Sequence, residues 1–301
     1  MFRLAHISDI HLSPLPAMRK RDFASKRVTG YLNWKRNRST SMGGPVLSNL
    51  IADIKAHAPD HIAITGDLTN LALDAEIANA RAWLETLGSP HDVSVVPGNH
   101  DAYVAGALAK SNAAYAPFIA GDLPRRDGVL YPWLRVRGDV ALIGVNSARA
   151  TPAFIAAGHV SRHQVEALEA MLADCGRQGL ARVVMIHHPP VHGATSNAKR
   201  LYGIGRFQQA IARTGADLVL HGHTHLATTY QIAGPRGPVP VVCVPAAGQA
   251  PGGHRPAAAW NEFRIGQNRD GTFAIERIMR GIVDAAFNVG EIRRDQIAPP
   301  A

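Results

Sequence analysis

Thiols are scarce in this chain of 301 residues: there are two cysteines, Cys175 and Cys243, distant from one another and each without a second thiol nearby. That excludes a disulfide framework and a thiolate zinc site, and leaves two buried free thiols in a reducing compartment as the expectation. Acidic side chains are also in short supply. The 23 Asp and Glu are outweighed by 32 Lys and Arg, for a net charge of +9, which favours anionic partners such as phosphate compounds, nucleic acid or an acidic membrane surface. No stretch is long and apolar enough to span a bilayer. The N-terminus passes from one short apolar run straight to Asp9, with no room for the apolar region of a signal peptide, so a cytoplasmic protein is expected. Internal repeats, low-complexity tracts and clear linkers are lacking too. Residues 1–301 therefore read as one domain, with 46% hydrophobic residues to fill its core.

What the chain does have is a recurring figure, a short apolar run that halts on a residue metals bind. The sharpest case is Val95-Val96-Pro97-Gly98-Asn99-His100-Asp101. A turn at Gly98 lets the backbone come close to whatever sits there, while Asn99, His100 and Asp101 offer a carbonyl ligand, an imidazole proton donor and a carboxylate to orient that imidazole. Residues 4–7 end at Asp9 and His11, 62–64 at Gly66-Asp67, 183–186 at His187, and 218–220 at His221-Gly222-His223-Thr224-His225. Such runs, bounded by Gly and Pro, predict strands buried on both faces. Their carboxyl ends are expected together at one edge of a sheet, where open α/β folds put their sites.

Helix patterns of suitable length lie between these runs. Leu47, Leu50, Ile51 and Ile54 form one apolar face; Ile77, Ala80, Leu84 and Leu87 form another, closed by Gly88. Ser161 and Gln164 have capping-box spacing ahead of the stripe Val165, Leu168, Leu172 and Cys175, with Gly176 behind it, and a shorter helix is expected around Phe207 and Ile211. After His225 the pattern turns to β over 228–232, 239–244, 263–265 and 273–278, which predicts a second sheet. Residues 281–301 read as a C-terminal extension with a frayed end at 298–301.

Together the run ends supply Asp9, His11, Asp67, Asn99, His187, His223 and His225, a set of carboxylate, imidazole and amide oxygen suited to Mn, Fe or Zn. Seven ligands exceed the needs of one ion. Two ions sharing Asp67 would use them all, and paired ions roughly 3.5–4 Å apart are what phosphoester hydrolysis exploits.

On these residues the sequence resembles the calcineurin-like metallophosphoesterase superfamily, with Asp9-Ile10-His11, Gly66-Asp67, Gly98-Asn99-His100-Asp101, His187 and Gly222-His223-Thr224-His225 matching its five ordered motifs. The resemblance implies a four-layer α/β/β/α sandwich of two mixed sheets. It implies one metal held by Asp9, His11, Asp67 and His225 and a second by Asp67, Asn99, His187 and His223, with a metal-bridging hydroxide attacking phosphorus. His100 would then serve the leaving oxygen or steady the phosphate, with Asp101 as its orienting partner. His188 and His192, beside the fourth motif on a stiff Pro189-Pro190 loop, are candidates for substrate contact, and His221 for support of the ligands.

The substrate is expected to be chosen by a basic, aromatic insert at 17–45. Its core begins at Arg19 and ends at Arg38, with eight cations interleaved with Phe23, Tyr31, Leu32 and Trp34. Starting so soon after His11, it is placed near the metals, where it suits phosphate gripping, nucleic-acid contact or an anionic membrane. A small phosphodiester substrate, as in the class III cyclic nucleotide phosphodiesterases that the chain resembles, fits the compact length and the Asn-His-Asp motif. A membrane-surface pyrophosphohydrolase of a nucleotide-lipid such as UDP-diacylglucosamine, peripheral at the inner face of a membrane, fits the insert better. Those lipid hydrolases, however, typically carry Arg where His100 stands. A DNA nuclease shares the metal motifs and the basic charge, but no added DNA-binding domain or coiled coil is visible.

Overall fold

The computed structural model describes residues 1–37, 44–124 and 127–298. Its strands are β1 (Phe2–Ile7), β2 (His61–Ile64), β3 (Val93–Val95), β4 (Trp133–Arg137), β5 (Val140–Gly144), β6 (Gly158–His159), β7 (Ala181–Met185), β8 (Leu201–Tyr202), β9 (Leu218–His221), β10 (Thr229–Gly234), β11 (Gly237–Cys243), β12 (Ala259–Gln267), β13 (Phe273–Ile282) and β14 (Val289–Ala298). Its α-helices are α1 (Arg27–Asn37), α2 (Pro45–His57), α3 (Asp74–Leu87), α4 (Ala107–Ala114), α5 (Ala116–Ile119), α6 (Arg162–Arg177) and α7 (Ile204–Thr214).

Two six-stranded mixed sheets, ordered β14-β13-β12-β1-β2-β3 and β10-β11-β9-β7-β5-β4, carry the fold. Each has a parallel core: β1, β2 and β3 in the first, with Leu4 opposite His61 and Ile62 opposite Val93, and β5, β7, β9 and β11 in the second. Residues of alternate parity serve different layers. Val183 and Met185 join Leu4, Ile7, Ile64 and Val95 in a core between the sheets, whereas Val184 and Ile186 pack outward with Leu168, Leu172, Phe207 and Ile211 of α6 and α7. The result is the four-layer α/β/β/α sandwich.

Two expectations about topology need correction. The five run ends do not share one sheet: β1 to β3 belong to the first and β7 and β9 to the second. Nor do the late strands make a sheet of their own, because β10 and β11 extend the second sheet while β12 runs antiparallel on β1 and β13 and β14 follow it. Apolar patterning fixes which face a strand buries and leaves its neighbour open. The C-terminal stretch supplies the edge strand β14; its last residues, 299–301, and residues 38–43 of the basic insert lie outside the described residues.

Ser161 Oγ accepts the Gln164 N–H at 3.1 Å, as the spacing predicts. Gln164's amide does not return to Ser161. It bonds both backbone groups of Asn146, tying the start of α6 to the end of β5. Both cysteines are buried free thiols.

Candidate metal centre

The site forms where the carboxyl ends of the two sheets meet, and hydrogen bonds between the two sets of loops hold the seam shut. His187 Nδ1 donates to Thr65 O at 2.7 Å, His223 N to Asp9 Oδ2 at 3.0 Å, and Ala247 N to Ser8 O at 3.0 Å. The turns are tight enough that Asp9, His11, Asp67, His223 and His225 all have positive φ, between 46° and 70°. For residues other than glycine that conformation costs on the order of 1–3 kcal/mol each and persists only where the surroundings impose it. Close approach explains Gly98: a Cβ there would collide with the Asp67 carboxylate and sit 2.5 Å from the Asp67 amide nitrogen.

The side chains expected at the site are brought together in overlapping groups. Asp9, His11 and His225 form one, Asp9, Asp67 and His187 a second, His11, Asp67 and His100 a third, and His187, His188 and His223 a fourth, with ligand atoms in each within 4.8 Å of one another. Asp67 Oδ2 lies 3.4 Å from His187 Nε2 and 3.8 Å from His11 Nε2. Asp9 Oδ1 is 3.1 Å from His225 Nε2, and Asn99 Oδ1 is 3.1 Å from His187 Nε2. His11 and His187 each give Nδ1–H to a backbone carbonyl, of Thr69 and Thr65, which fixes the tautomer with Nε2 turned to the carboxylates. His223 instead gives Nε2–H to Lys199 O at 3.0 Å.

Burial works against charge on Asp67, yet His187, His100 and His11 hold its carboxyl well below the usual carboxylate range, and His225 and His187 do the same for Asp9. Conversely, burial is overcome at His187, which Asp67 and Asp9 push up to about 9. Two buried carboxylates, four imidazoles and an amide oxygen, converging without a thiolate, fit a pair of borderline or hard cations.

Asp101 needs a correction. Its carboxylate does not serve as the partner of His100: Oδ2 accepts the amides of Asp67 and Gly98, and Oδ1 those of Leu68 and Thr69. His100 Nδ1 donates to Asn70 O at 2.5 Å, and the ring stacks on Tyr103. Neighbours in sequence, the two side chains leave the turn in different directions, and Asp101 knits the 67–69 loop to the 98–101 loop. Burial, with the Asp67 charge close by, pushes Asp101 up to about 7.

His188 is likewise not directed at substrate, since it is buried with its ring nitrogens bonded to Ser147 and Ala156 O. His192 is exposed, and the buried His221 bonds the Gly222 carbonyl.

Above the cluster opens a cavity of about 250 Å³, with Asp67, Asn99, His100 and His223 at its base. Residues Lys26, Thr29, Gly30 and Asn33 of the insert form one wall, and segment 151–156, Lys199 and Arg255 form others. Sequence reasoning missed those other walls because 151–156 and Lys199 follow strand ends without any periodic signal. No helix among the described residues is long and apolar enough to cross a membrane.

Two mixed sheets meeting over a carboxylate and imidazole cluster define a metallophosphoesterase fold. Residues 2–227 match the model of the calcineurin-like phosphoesterases, and the chain belongs to that family. It is accordingly a metal-dependent phosphoric ester hydrolase of a dimetal family. Solved structures of similar fold include a dimetal phosphatase from Danio rerio, 11% identical over 98% of this chain and 98% of that one, with TM-score 0.59. Purple acid phosphatase PPD1 from yellow lupin (Lupinus luteus) seeds is 12% identical over 99% and 54% of the two chains, with TM-score 0.62. NAD nucleotidase of Haemophilus influenzae is 13% identical over 97% and 53%, with TM-score 0.54. The present chain spans about half the length of the last two. No curated protein sequence matches it.

Proposed function

We propose that the cluster holds two metal ions, Mn, Fe or Zn, and that the protein hydrolyses a small phosphodiester of the cyclic-nucleotide kind. One ion is assigned to Asp9, His11, Asp67 and His225 and the other to Asp67, Asn99, His187 and His223. The observation that carries this reading is Asp67 Oδ2, which lies between the Nε2 atoms of His187 and His11 at 3.4 and 3.8 Å and so suits a shared ligand. Bound ions supply Lewis acidity and an acidified water.

The remaining work falls to the protein's own groups. His187 gives up its proton on ligation. His100, with Nδ1 committed to Asn70 O and its ring braced by Tyr103, presents Nε2 to the cavity, where it protonates the leaving oxygen or steadies the phosphate. Asp101 holds the amides that shape both loops, and so acts as a positioning residue. Lys26, Lys199 and Arg255 screen the charge of the entering phosphate. A second organic group has apolar contacts available at the rim, where Phe154 is 89% exposed and Ile155 lies beside it.

One observation favours the alternative, a nucleotide-lipid pyrophosphohydrolase at a membrane surface. Phe23 and Leu32, on the insert that walls the cavity, are exposed beside Lys35 and Arg36. Turnover followed by phosphorus NMR, with metal-loaded protein and an EDTA-treated control, separates the two. Metal-dependent cleavage of cyclic AMP faster than of UDP-diacylglucosamine in mild detergent is expected, and the opposite order would transfer the assignment to the lipid. His100→Ala should cut the faster rate by about 10²–10⁴-fold with the fold retained.

A further inference from the structure

Beyond segment 151–155 lies a second cleft, of about 510 Å³, that shares Thr151, Pro152 and Ile155 with the cavity and contains none of the metal-type cluster. The two hollows are separated by a single ridge of chain. That ridge is held from both sides: Lys26 Nζ reaches Thr151 Oγ1 at 3.4 Å, Thr151 Oγ1 donates to Ile155 O, and His188 Nε2 donates to Ala156 O at 3.1 Å.

The cleft has its own scaffold. Strands β6 and β8, which belong to neither large sheet, pair in parallel with His159 opposite Tyr202, so an imidazole and a phenol stand side by side. Arg149 and Arg206 complete the lining, with Arg206 Nη1 anchored on Val160 O at 3.2 Å. The Arg200 guanidinium lies 5.0 Å from the Tyr202 ring centre. His159 lines the same cleft as Arg149 and Arg206, and burial together with their charges lowers its proton affinity.

Arg149, Arg200 and Arg206 have no carboxylate partner among the described residues. Arginines of the adjoining elements do: Arg162 pairs with Glu166, Arg213 with Glu169 and Arg182 with Asp217. On α7 itself Arg213 is neutralised and Arg206 is not, so Arg149 and Arg206 in the lining and Arg200 over Tyr202 are left uncompensated at one hollow, beside the cavity that takes phosphoesters.

We propose that this cleft is a second anion subsite, which takes a phosphate group of the substrate remote from the one hydrolysed. Planar guanidinium groups bind phosphate oxygens in pairs, and Tyr202 and His159 offer faces to the organic part between the two phosphates. The substrate class is thus an organic phosphodiester bearing a further terminal phosphate, bound across the 151–155 ridge. The inference rests on the hydrolase reading for its orientation, but the cleft's anion affinity does not depend on metals. The same chemistry would accept free inorganic phosphate as an effector, a source the test separates.

The test measures binding first. With metal-free protein, calorimetry should show thymidine 3′,5′-bisphosphate binding about tenfold more tightly than thymidine 5′-monophosphate, and Arg149→Ala with Arg206→Ala should erase that difference while leaving the monophosphate unchanged. Both arginines are exposed, so the double variant should keep the wild-type melting temperature. With metal-loaded protein, thymidine 5′-(p-nitrophenyl phosphate) bearing a 3′-phosphate should have about a tenfold lower KM than its counterpart without one, again only when both arginines are present. A bisphosphate advantage that is absent, or that survives in the double variant, overturns the proposal. If inorganic phosphate binds in an arginine-dependent way while the bisphosphate shows no advantage, the distal-phosphate assignment is wrong and the cleft serves an effector. Failure of hydrolysis alone, with the binding difference intact, would count against the metal-site reading and leave the subsite standing.

Discussion

The floor of the site and its rim are built in opposite ways. At the floor Asp9, His11, Asp67 and His187 are withdrawn from solvent, the first three sit in left-handed backbone conformations, and loops approach so closely that Gly98 and Gly222 have no space for a methyl group. At the rim Arg149, Arg206 and Arg255 have no acidic partner among the described residues, Phe154 stands in solvent, and a methyl group at Gly205 or Gly252 would meet open space. Charge held in a dry, hydrogen-bonded frame is oriented before substrate arrives and reorganises little during reaction. Charge left in water costs little to keep and waits for a partner. On the proposed function, the floor would set the reaction on phosphorus and the rim which ester is brought to it.

That division is broken most severely from below. Asp67→Asn removes the carboxylate proposed to be shared and should lower turnover by about 10³-fold or more, beyond the loss of a single transition-state donor, with metal content measured by atomic emission falling by at least half. Gly98→Ala should act through the same side chain, from its Oδ1 side. A methyl forced against Asp67 displaces the carboxylate and costs about 1–3 kcal/mol of overpacking, which calorimetric melting would register. Full activity in Asp67→Asn would show that the two half-sites are independent.

Asp101 tests whether the floor's shape matters apart from its ligands. Its carboxylate accepts four backbone amides and the Thr69 hydroxyl. In Asp101→Asn the new NH₂ faces N–H donors and at least one of those bonds is lost. Turnover should fall about 10–100-fold with KM for the diester nearly unchanged, alongside a lower melting temperature. A KM effect without a turnover effect would move Asp101's influence to the rim.

The floor was legible in the sequence and the rim was not, for a physical reason. Buried parallel strands must be apolar and must end where the chain turns, so Asp9, Asp67, Asn99, His187 and His223 announce themselves as polar residues behind short apolar runs. The same pattern cannot say which sheet a strand joins, and it passed over β5, whose run ends at Asn146 instead of an ionisable side chain. Proximity in sequence also misassigned Asp101 to His100. Segments 149–159 and 199–206 have no period to read, and their cations become a site only when β6 and β8 pair. At the rim the insert was legible through Lys26, which follows His11 closely enough in sequence to reach the cavity wall.

The mildest test separates charge from shape at the rim. Lys26 Nζ lies 4.3 Å from the Tyr103 ring centre, and burial pulls its ammonium down to about 8. Below that pH the group is a cation facing the cavity; as pH rises through it the charge is lost, so kcat/KM for an anionic diester should decline several-fold between about pH 7 and 9. Lys26→Arg keeps its charge over that range, because a guanidinium stays protonated to about pH 12. The variant should therefore lose the decline while retaining the low-pH value, whereas Lys26→Met should be uniformly weaker and flat. Because metal ligands titrate identically in all three proteins, only the difference between their profiles belongs to Lys26. If wild type and Lys26→Arg fall together, the cavity's cations attract substrate as a diffuse field, and the rim selects by shape alone.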